Sequence, residues 1–203
     1  MEYEATITVS QGNKKMGKTP NFSLVAGDSC PGASELCARI CYAKKGFILF
    51  QRGRYEANQM ASESDTFVTA MVERIAKATA KMPYPSFRIH VSGDFYGVGY
   101  VNKWAAIAKR LPGVRLWAYT RSWTVSGILP ALEILQDLPN VQLFASVDDT
   151  MGDPPQGWRV AYIETDSRSK GLVCPEQTGK KPDCATCHYC YQGTKGDVVF
   201  KVH

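Results

Sequence analysis

An internal repeat of 27 residues is the feature that most constrains how this chain can fold. Residues 111–118 (LPGVRLWA) align without gaps on residues 138–145 (LPNVQLFA). A further step of 27 residues towards the N-terminus leads from Pro112 to Pro85, which begins a related run at 85–91. Each copy joins a Pro-containing turn to β-branched and aromatic residues, a pattern typical of strands. The repeat therefore predicts three strands in one phase.

Helices are predicted between these strands, because apolar residues recur there at helical spacing. A longer helix is predicted upstream of the first copy, with Ser64 and Asp65 as its cap. The apolar residues that define the three helices are Phe67, Met71, Ile75 and Ala78; Val101, Trp104, Ala105, Ala108 and Leu111; and Ile128, Leu132, Leu135 and Leu138. This alternation predicts right-handed parallel βαβ units with helices covering the sheet.

Further strands are predicted at 22–25, 159–163 and 172–173. Five or six βα units are too few for a closed eight-stranded barrel of ~250 residues. We therefore predict an α/β fold, either a partial (β/α) barrel of about five to six parallel βα units or an open doubly wound sheet. The 203 residues fit one domain: an N-terminal segment with a Cys loop (1–60), βα repeats (61–173) and a Cys-rich metal-binding C-terminal extension (174–203).

Composition excludes several classes of protein. No apolar run approaches the ~20 residues that span a bilayer, and the N-terminus lacks the basic and apolar regions of a secretory signal. We therefore expect a cytoplasmic protein without membrane partners. The net charge of +5 permits an anionic partner without identifying one.

Polar residues recur just past three successive predicted strands. Asp94, Arg121 and Asp148 are separated by 27 and 27 residues, so they occupy equivalent positions at the carboxyl ends of the strands, where α/β enzymes place their chemistry. We predict these three residues as catalytic. The neighbouring small residues predicted to bind a cofactor or small molecule are Ser92, Gly93, Ser122 and Ser146. The competing interpretation is that such residues cap the following helices.

Seven Cys residues without an export signal favour metal ligands over disulfides. They fall into two groups, Cys30, Cys37 and Cys41, and then Cys174, Cys184, Cys187 and Cys190. The two-residue gaps of the second group, with a remote Cys-Pro, are close to an iron–sulfur arrangement, and zinc is the alternative metal. One or two [4Fe-4S] clusters are expected. Cys174 completes either group, and the spacing does not choose between them.

The three-Cys loop after the first strand resembles that of the radical S-adenosylmethionine enzymes, as do the Ser92-Gly93-Asp94-Phe95 sequence and the Cys-rich tail. This resemblance implies a partial barrel in which Cys30, Cys37 and Cys41 hold a [4Fe-4S] cluster whose open iron binds S-adenosylmethionine. The spacing differs from the usual Cys-x3-Cys-x2-Cys, and the aromatic Tyr42 follows the last Cys rather than preceding it.

A second resemblance, to the phage-encoded gene product 88 family, covers most of the chain. Its motifs here are KMGKTP at 15–20, SCP at 29–31, CYAK at 41–44 and CPEQTG at 174–179, followed by the Cys-x2-Cys-x2-Cys run. The resemblance implies a phage origin and a location in the host bacterial cytosol, and it names no reaction.

Basic and aromatic residues surround both Cys groups, a pattern that suits a nucleic-acid groove, solvated helix faces or counter-charges for an anionic cluster. They are Lys14, Lys15, Lys18, Lys44, Lys45, Arg52, Arg54, Lys180 and Lys181, with Phe47, Phe50 and Tyr55. Two hypotheses follow. One is an iron–sulfur protein of radical S-adenosylmethionine type acting on a small molecule or nucleic acid. The alternative is a non-catalytic protein, stabilised by an iron–sulfur cluster or zinc, that binds host protein or nucleic acid.

Overall fold

A computed structural model describes residues 6–193 and 196–202, apart from the side chain of Phe47. Within these residues the fold is mixed α/β, built on one sheet of seven strands in which all neighbours are parallel. The strands are β1 (Asn21–Phe22), β2 (Ser86–Ile89), β3 (Arg115–Thr120), β4 (Val141–Val147), β5 (Arg159–Ile163), β6 (Leu172–Val173) and β7 (Val198–Phe200), in the spatial order β1-β2-β3-β4-β5-β7-β6.

Helices connect most of these strands. They are α1 (Glu35–Ile40), α2 (Arg52–Glu63), α3 (Phe67–Thr79), α4 (Val98–Arg110), α5 (Leu129–Gln136) and α6 (Cys184–Cys187), with 3-10 turns at Tyr42–Lys44, Gly46–Gln51 and Ser122–Thr124. The three helices predicted from apolar spacing are therefore confirmed. In the described part of the chain no helix is both long and apolar enough to span a membrane.

The repeat sets the register of the central strands. Leu116 pairs with Val141 and Ala118 with Leu143, so each residue of β3 lies opposite a position two residues before its repeat equivalent. Because side chains alternate between faces with a period of two, this even shift keeps equivalent residues on the same face. The repeated sequence thus builds two continuous sheet faces.

The two faces of the sheet bury different partners. Phe87, Leu116 and Leu143 point to the helical side and pack with Trp104 of α4 and Leu132 of α5 in the main core, all fully buried. The opposite face carries Trp117, Tyr119 and Phe144, which pack against the C-terminal segment.

The predicted C-terminal extension is part of this sheet rather than an appendage. β7 lies between β5 and β6, and Val198 is fully buried. Tyr191 is also buried, with its ring centroid 4.6 Å from that of Trp117. The expectation that the tail has too few apolar residues to be ordered by burial is therefore wrong for these residues, because a three-residue strand and one aromatic contact place them in the core.

Asn140 ties the repeats together at the amino ends of the strands. Its buried side-chain amide donates to the carbonyls of Ala108 (3.0 Å), Leu111 (2.9 Å) and Val114 (3.2 Å). These carbonyls belong to the end of α4 and the turn that leads into β3, so one side chain holds the junction of two repeat units.

We predict that Asn140→Ala lowers the free energy of unfolding by about 2 kcal/mol, because buried carbonyls lose their donor. Urea denaturation measures the loss, and the matched control is Asn102→Ala on the exposed side of α4, with an expected change under about 0.5 kcal/mol. Equal stability of the two variants would contradict this role for Asn140.

Candidate functional site

A cavity of about 660 Å³ opens at the carboxyl ends of the strands and contains all seven Cys residues in its lining. Among the other residues predicted for the site, Ser92, Gly93, Asp94, Arg121 and Ser146 also line it. Asp148 and Ser122 are absent from the lining and lie buried behind it. The cavity therefore collects the two chemical patterns that the sequence presents separately.

The first Cys group is docked against the ends of β3 and β4. Ser34 caps α1, accepting from the backbone N–H of Cys37 (3.0 Å), and its hydroxyl donates to Oδ2 of Asp148 (2.5 Å). Gly32 approaches so closely that a Cβ there would lie 2.1 Å from the carbonyl oxygen of Arg121. Backbone contact, in addition to any metal, thus positions this loop.

The second Cys group is built around the single-turn helix α6. Asp183 caps it by accepting from the backbone N–H of Thr186 (2.8 Å), and the spacing of Cys184 and Cys187 places them on one side of the turn. His188 ends the turn with φ +61°, which redirects the chain towards Cys190. The Cys190 sulfur accepts a hydrogen bond from the hydroxyl of Tyr119 at 2.8 Å.

The electrostatic influences among the thiols favour a division of three and four. Cys37 acts on the pKa of Cys30, and Cys41 on that of Cys37. In the other group, Cys174 acts on the pKa of both Cys184 and Cys190. Cys174 thus lies with the second group, which answers a question that the spacing leaves open.

Burial keeps the free thiols protonated. It is the largest cause that raises the pKa of Cys30 and of Cys184 to about 11 and that of Cys190 to about 12. A thiolate is the form that binds metal, so a bound cation would have to displace these protons.

The residues present suit a cluster better than a single ion. Among the described residues, no three His, Cys, Asp or Glu side chains are arranged to hold one metal ion. Thiolates at ~2.3 Å from one zinc lie roughly 3.8 Å from each other, whereas thiolates that bind different irons of a cluster are held further apart by the cluster itself. Groups of three and four thiols around one cavity fit the second case.

The structure brings the three predicted catalytic residues together. Oδ2 of Asp94 accepts from the backbone N–H of Arg121 (2.8 Å), and the Arg121 guanidinium pairs with Oδ2 of Asp148 (2.5 Å). Burial raises the pKa of Asp94. Burial also acts to raise the pKa of Asp148, but hydrogen bonds from Ser34 and Thr150 and the charge of Arg121 lower it to about 2. Their catalytic role stays a prediction.

The predicted cofactor-binding residues have structural contacts of their own. Ser92 donates to the carbonyl of Leu24 (2.9 Å), and the carbonyl of Ser146 accepts from the Trp123 indole N–H (3.1 Å). Gly93 has φ +82°, and a Cβ there would lie 2.5 Å from the hydroxyl of Ser29, so only glycine fits. The backbone N–H of Ser122 donates to Thr120 (3.0 Å). A binding role for the four residues stays a prediction.

Three cavity residues escaped the sequence analysis, namely Arg88, Trp117 and Tyr119. Trp117 and Tyr119 lie two residues apart in β3, and Arg88 lies mid-strand in β2. Alternation along the predicted strands was the signal that would have assigned them to the face opposite the helices.

The basic residues near the Cys groups are partly neutralised. Arg52 bonds Glu56 (2.8 Å) and lies 3.8 Å from Asp28, while Lys15 lies 3.7 Å from Glu176. Phe50 is 82% exposed, and the side chain of Phe47, also predicted to stack on bases, lies outside the described structure. These contacts favour solvated or paired charges over a nucleic-acid groove.

We predict that Asp148→Asn lowers the free energy of unfolding by about 3 kcal/mol at pH 7, since it leaves the largely buried Arg121 without its counter-charge. The folded-state pKa of about 2 lies below the ordinary 3.8, so the charge of Asp148 stabilises the fold above pH ~4, and this contribution is lost as pH falls towards 2. Denaturation at pH 7 and pH 2.5 measures the difference between the proteins, which should shrink at the lower pH. The exposed Asp137→Asn is the control, and a pH-independent difference would contradict the prediction.

Comparisons with known proteins agree with one of the two resemblances. The family model described as gene product 88 matches residues 4–193. The Gene 88 protein of Mycobacterium phage D29 is 29% identical over 91% of this chain and 88% of its own length, and that of Mycobacterium phage L5 is 29% identical over 93% and 89%. No solved structure matches the chain significantly. The chain belongs to the gene product 88 family of phage proteins.

Proposed function

We propose that this protein binds two iron–sulfur clusters, one at Cys30, Cys37 and Cys41 and one at the four C-terminal Cys residues, and acts on a small molecule in the cavity between them. The observation that carries the proposal is that all seven thiols line one cavity at the carboxyl ends of a parallel sheet. Chemistry is concentrated at that end of α/β folds.

The first group has the ligand number of an open cluster. Three thiolates occupy three irons of a [4Fe-4S] cluster, and when bound such a cluster supplies one-electron chemistry and an iron free to bind a small molecule. S-adenosylmethionine is the ligand that the radical S-adenosylmethionine resemblance implies for that iron. Under this proposal the sheet is the partial barrel of those enzymes, with its concave face towards the cavity.

The second group has the ligand number of a closed cluster. Four thiolates complete the coordination of four irons, and the Tyr119 hydroxyl that donates to Cys190 adds a hydrogen bond to one sulfur. Hydrogen bonds to cluster sulfurs raise or lower the reduction potential. This group also joins α6 to β3 through Tyr119, so its cluster would stabilise the end of the sheet.

The chain's own charged residues surround the open side of the first group. Asp94 and Arg121 line the cavity beside Cys30 and Cys37, and their charges act on those thiols. Asp94 is buried with a raised pKa, which suits a group that holds or accepts a proton near a bound molecule. Arg121 is fixed by Asp148 and so presents its charge in one orientation.

Metal analysis of anaerobically purified protein tests the proposal. We predict about eight irons and eight sulfides per chain, the content of two [4Fe-4S] clusters. Cys37→Ser and Cys187→Ser should each lose about half of the iron, because each removes one ligand of a different group. The matched controls are Ala38→Ser and Thr186→Ser, which place a serine one residue away on exposed positions and should keep full iron content.

Zinc without iron or sulfide would overturn the cluster proposal and favour the alternative, a non-catalytic metal-stabilised binding protein. Loss of all iron in either Cys variant would instead contradict two separate groups. Circular dichroism of each variant separates loss of metal from loss of fold.

We predict that S-adenosylmethionine changes the electron paramagnetic resonance spectrum of the reduced protein, since it would bind the iron that lacks a thiolate. The change should persist in Cys187→Ser, which keeps the first group, and vanish in Cys37→Ser. An unchanged spectrum in the wild-type protein would rule out S-adenosylmethionine as the ligand of an open iron.

A further inference from the structure

Arg88 of β2 is a charged side chain on the cavity face of the sheet. Its Nε donates to the carbonyl of His90 at 3.0 Å, and its guanidinium lies 4.9 Å from the ring centroid of Tyr119. One terminal nitrogen lies 3.5 Å from the sulfur of Met16. These contacts hold the guanidinium plane in one orientation.

Arg88 has no carboxylate partner within the described residues. The ion pairs found there include the other cations Arg121 and Lys15 of the cavity lining, bonded to Asp148 and Glu176, but none for Arg88. An arginine stays charged at all ordinary pH values. A fixed positive charge in a cavity lined mainly by apolar and aromatic side chains is therefore left without a counter-ion from the protein.

The backbone beside Arg88 is strained in a way that serves this arrangement. His90 has φ +63°, a left-handed conformation that is uncommon outside glycine. The turn lets the His90 ring bond Tyr100 (2.8 Å) and pack on Phe95 (4.8 Å) on the helical side, while its carbonyl receives the Arg88 Nε–H. Strain of this kind clusters at functional sites.

Arg88 also lies between the two Cys groups. Its charge acts on the thiol of Cys184 in the second group, and on the hydroxyl of Tyr42, the residue that follows Cys41 in the first. A ligand that contacts Arg88 would therefore lie within the space that both groups enclose.

We propose that the cavity binds a small organic anion through its carboxylate or phosphate group at Arg88, with its apolar body against the aromatic wall that includes Trp117. The cavity volume of about 660 Å³ falls in the range of small-molecule sites, roughly 300–1,000 Å³. The planar guanidinium matches both oxyanion groups through paired hydrogen bonds. The inference rests on the proposed function for the role of this ligand as the molecule acted upon.

Matched probe pairs test the anion preference and its source. Adenosine 5′-monophosphate is compared with adenosine, and indole-3-acetate with indole-3-acetamide, by calorimetry on iron-loaded and on metal-free wild-type protein. At least one anionic probe should bind about tenfold more tightly than its neutral partner, the gain expected from a charge-assisted hydrogen bond. The pair that shows the preference identifies phosphate or carboxylate as the recognised group.

Variants assign the preference to Arg88. Arg88→Gln should reduce it to within about twofold, whereas Arg110→Gln, which removes a charge from the exposed end of α4, should leave it unchanged. If Arg88→Gln does not fold, the Nε–H resonance of Arg88 in the wild-type protein provides the test, because it should shift with the anionic probe and not with the neutral one.

Equal binding of charged and neutral probes, or a preference that survives in Arg88→Gln, would overturn the inference. Loss of iron from Arg88→Gln without any anion preference in the wild type would also overturn it and make Arg88 a counter-charge for the second cluster. An anion preference in a wild-type protein that contains no iron would leave the site standing and defeat the proposed function instead.

Discussion

The buried ion pair of Arg121 and Asp148 is the interaction on which the upper end of the molecule depends. It joins the ends of β3 and β4, and Ser34 extends it to the cap of α1, so that the first Cys loop is attached to the sheet through one carboxylate. Asp148 is fully buried, and a buried carboxylate is tolerated only with a full set of partners. The position of three thiols therefore follows from an electrostatic requirement of the sheet.

The division of the sheet into two faces explains why the site lies where it does. Aliphatic side chains of alternate strand residues fill the helical side, whereas Trp117, Tyr119 and Arg88 face the cavity. Large aromatic and cationic groups leave a less closely filled space than the interlocking aliphatic core does. The C-terminal segment covers this face through Tyr191, and the cavity persists above that contact.

Sequence reasoning predicted the central strands and the meeting of Asp94, Arg121 and Asp148, because equal spacing in parallel units places residues at one edge of a sheet. It missed β7, whose three residues are too few to show a period, and it took the tail that contains them for an extension. Arg88 was missed because a charged residue inside a strand reads as solvent-facing. The partner group of Cys174 depends on how β6 and β7 are ordered in space, which spacing along the chain does not encode.

The insertion of β7 between β5 and β6 fixes an order of events during synthesis. β6 and all four Cys residues of the second group leave the ribosome before β7, yet β6 is hydrogen-bonded to the sheet through β7 alone. Until residues 198–200 emerge, those thiols belong to a segment that has not yet paired with the sheet. The nascent chain therefore offers its second Cys group to the cytosol, and to whatever supplies metal there, before the wall that encloses it is complete.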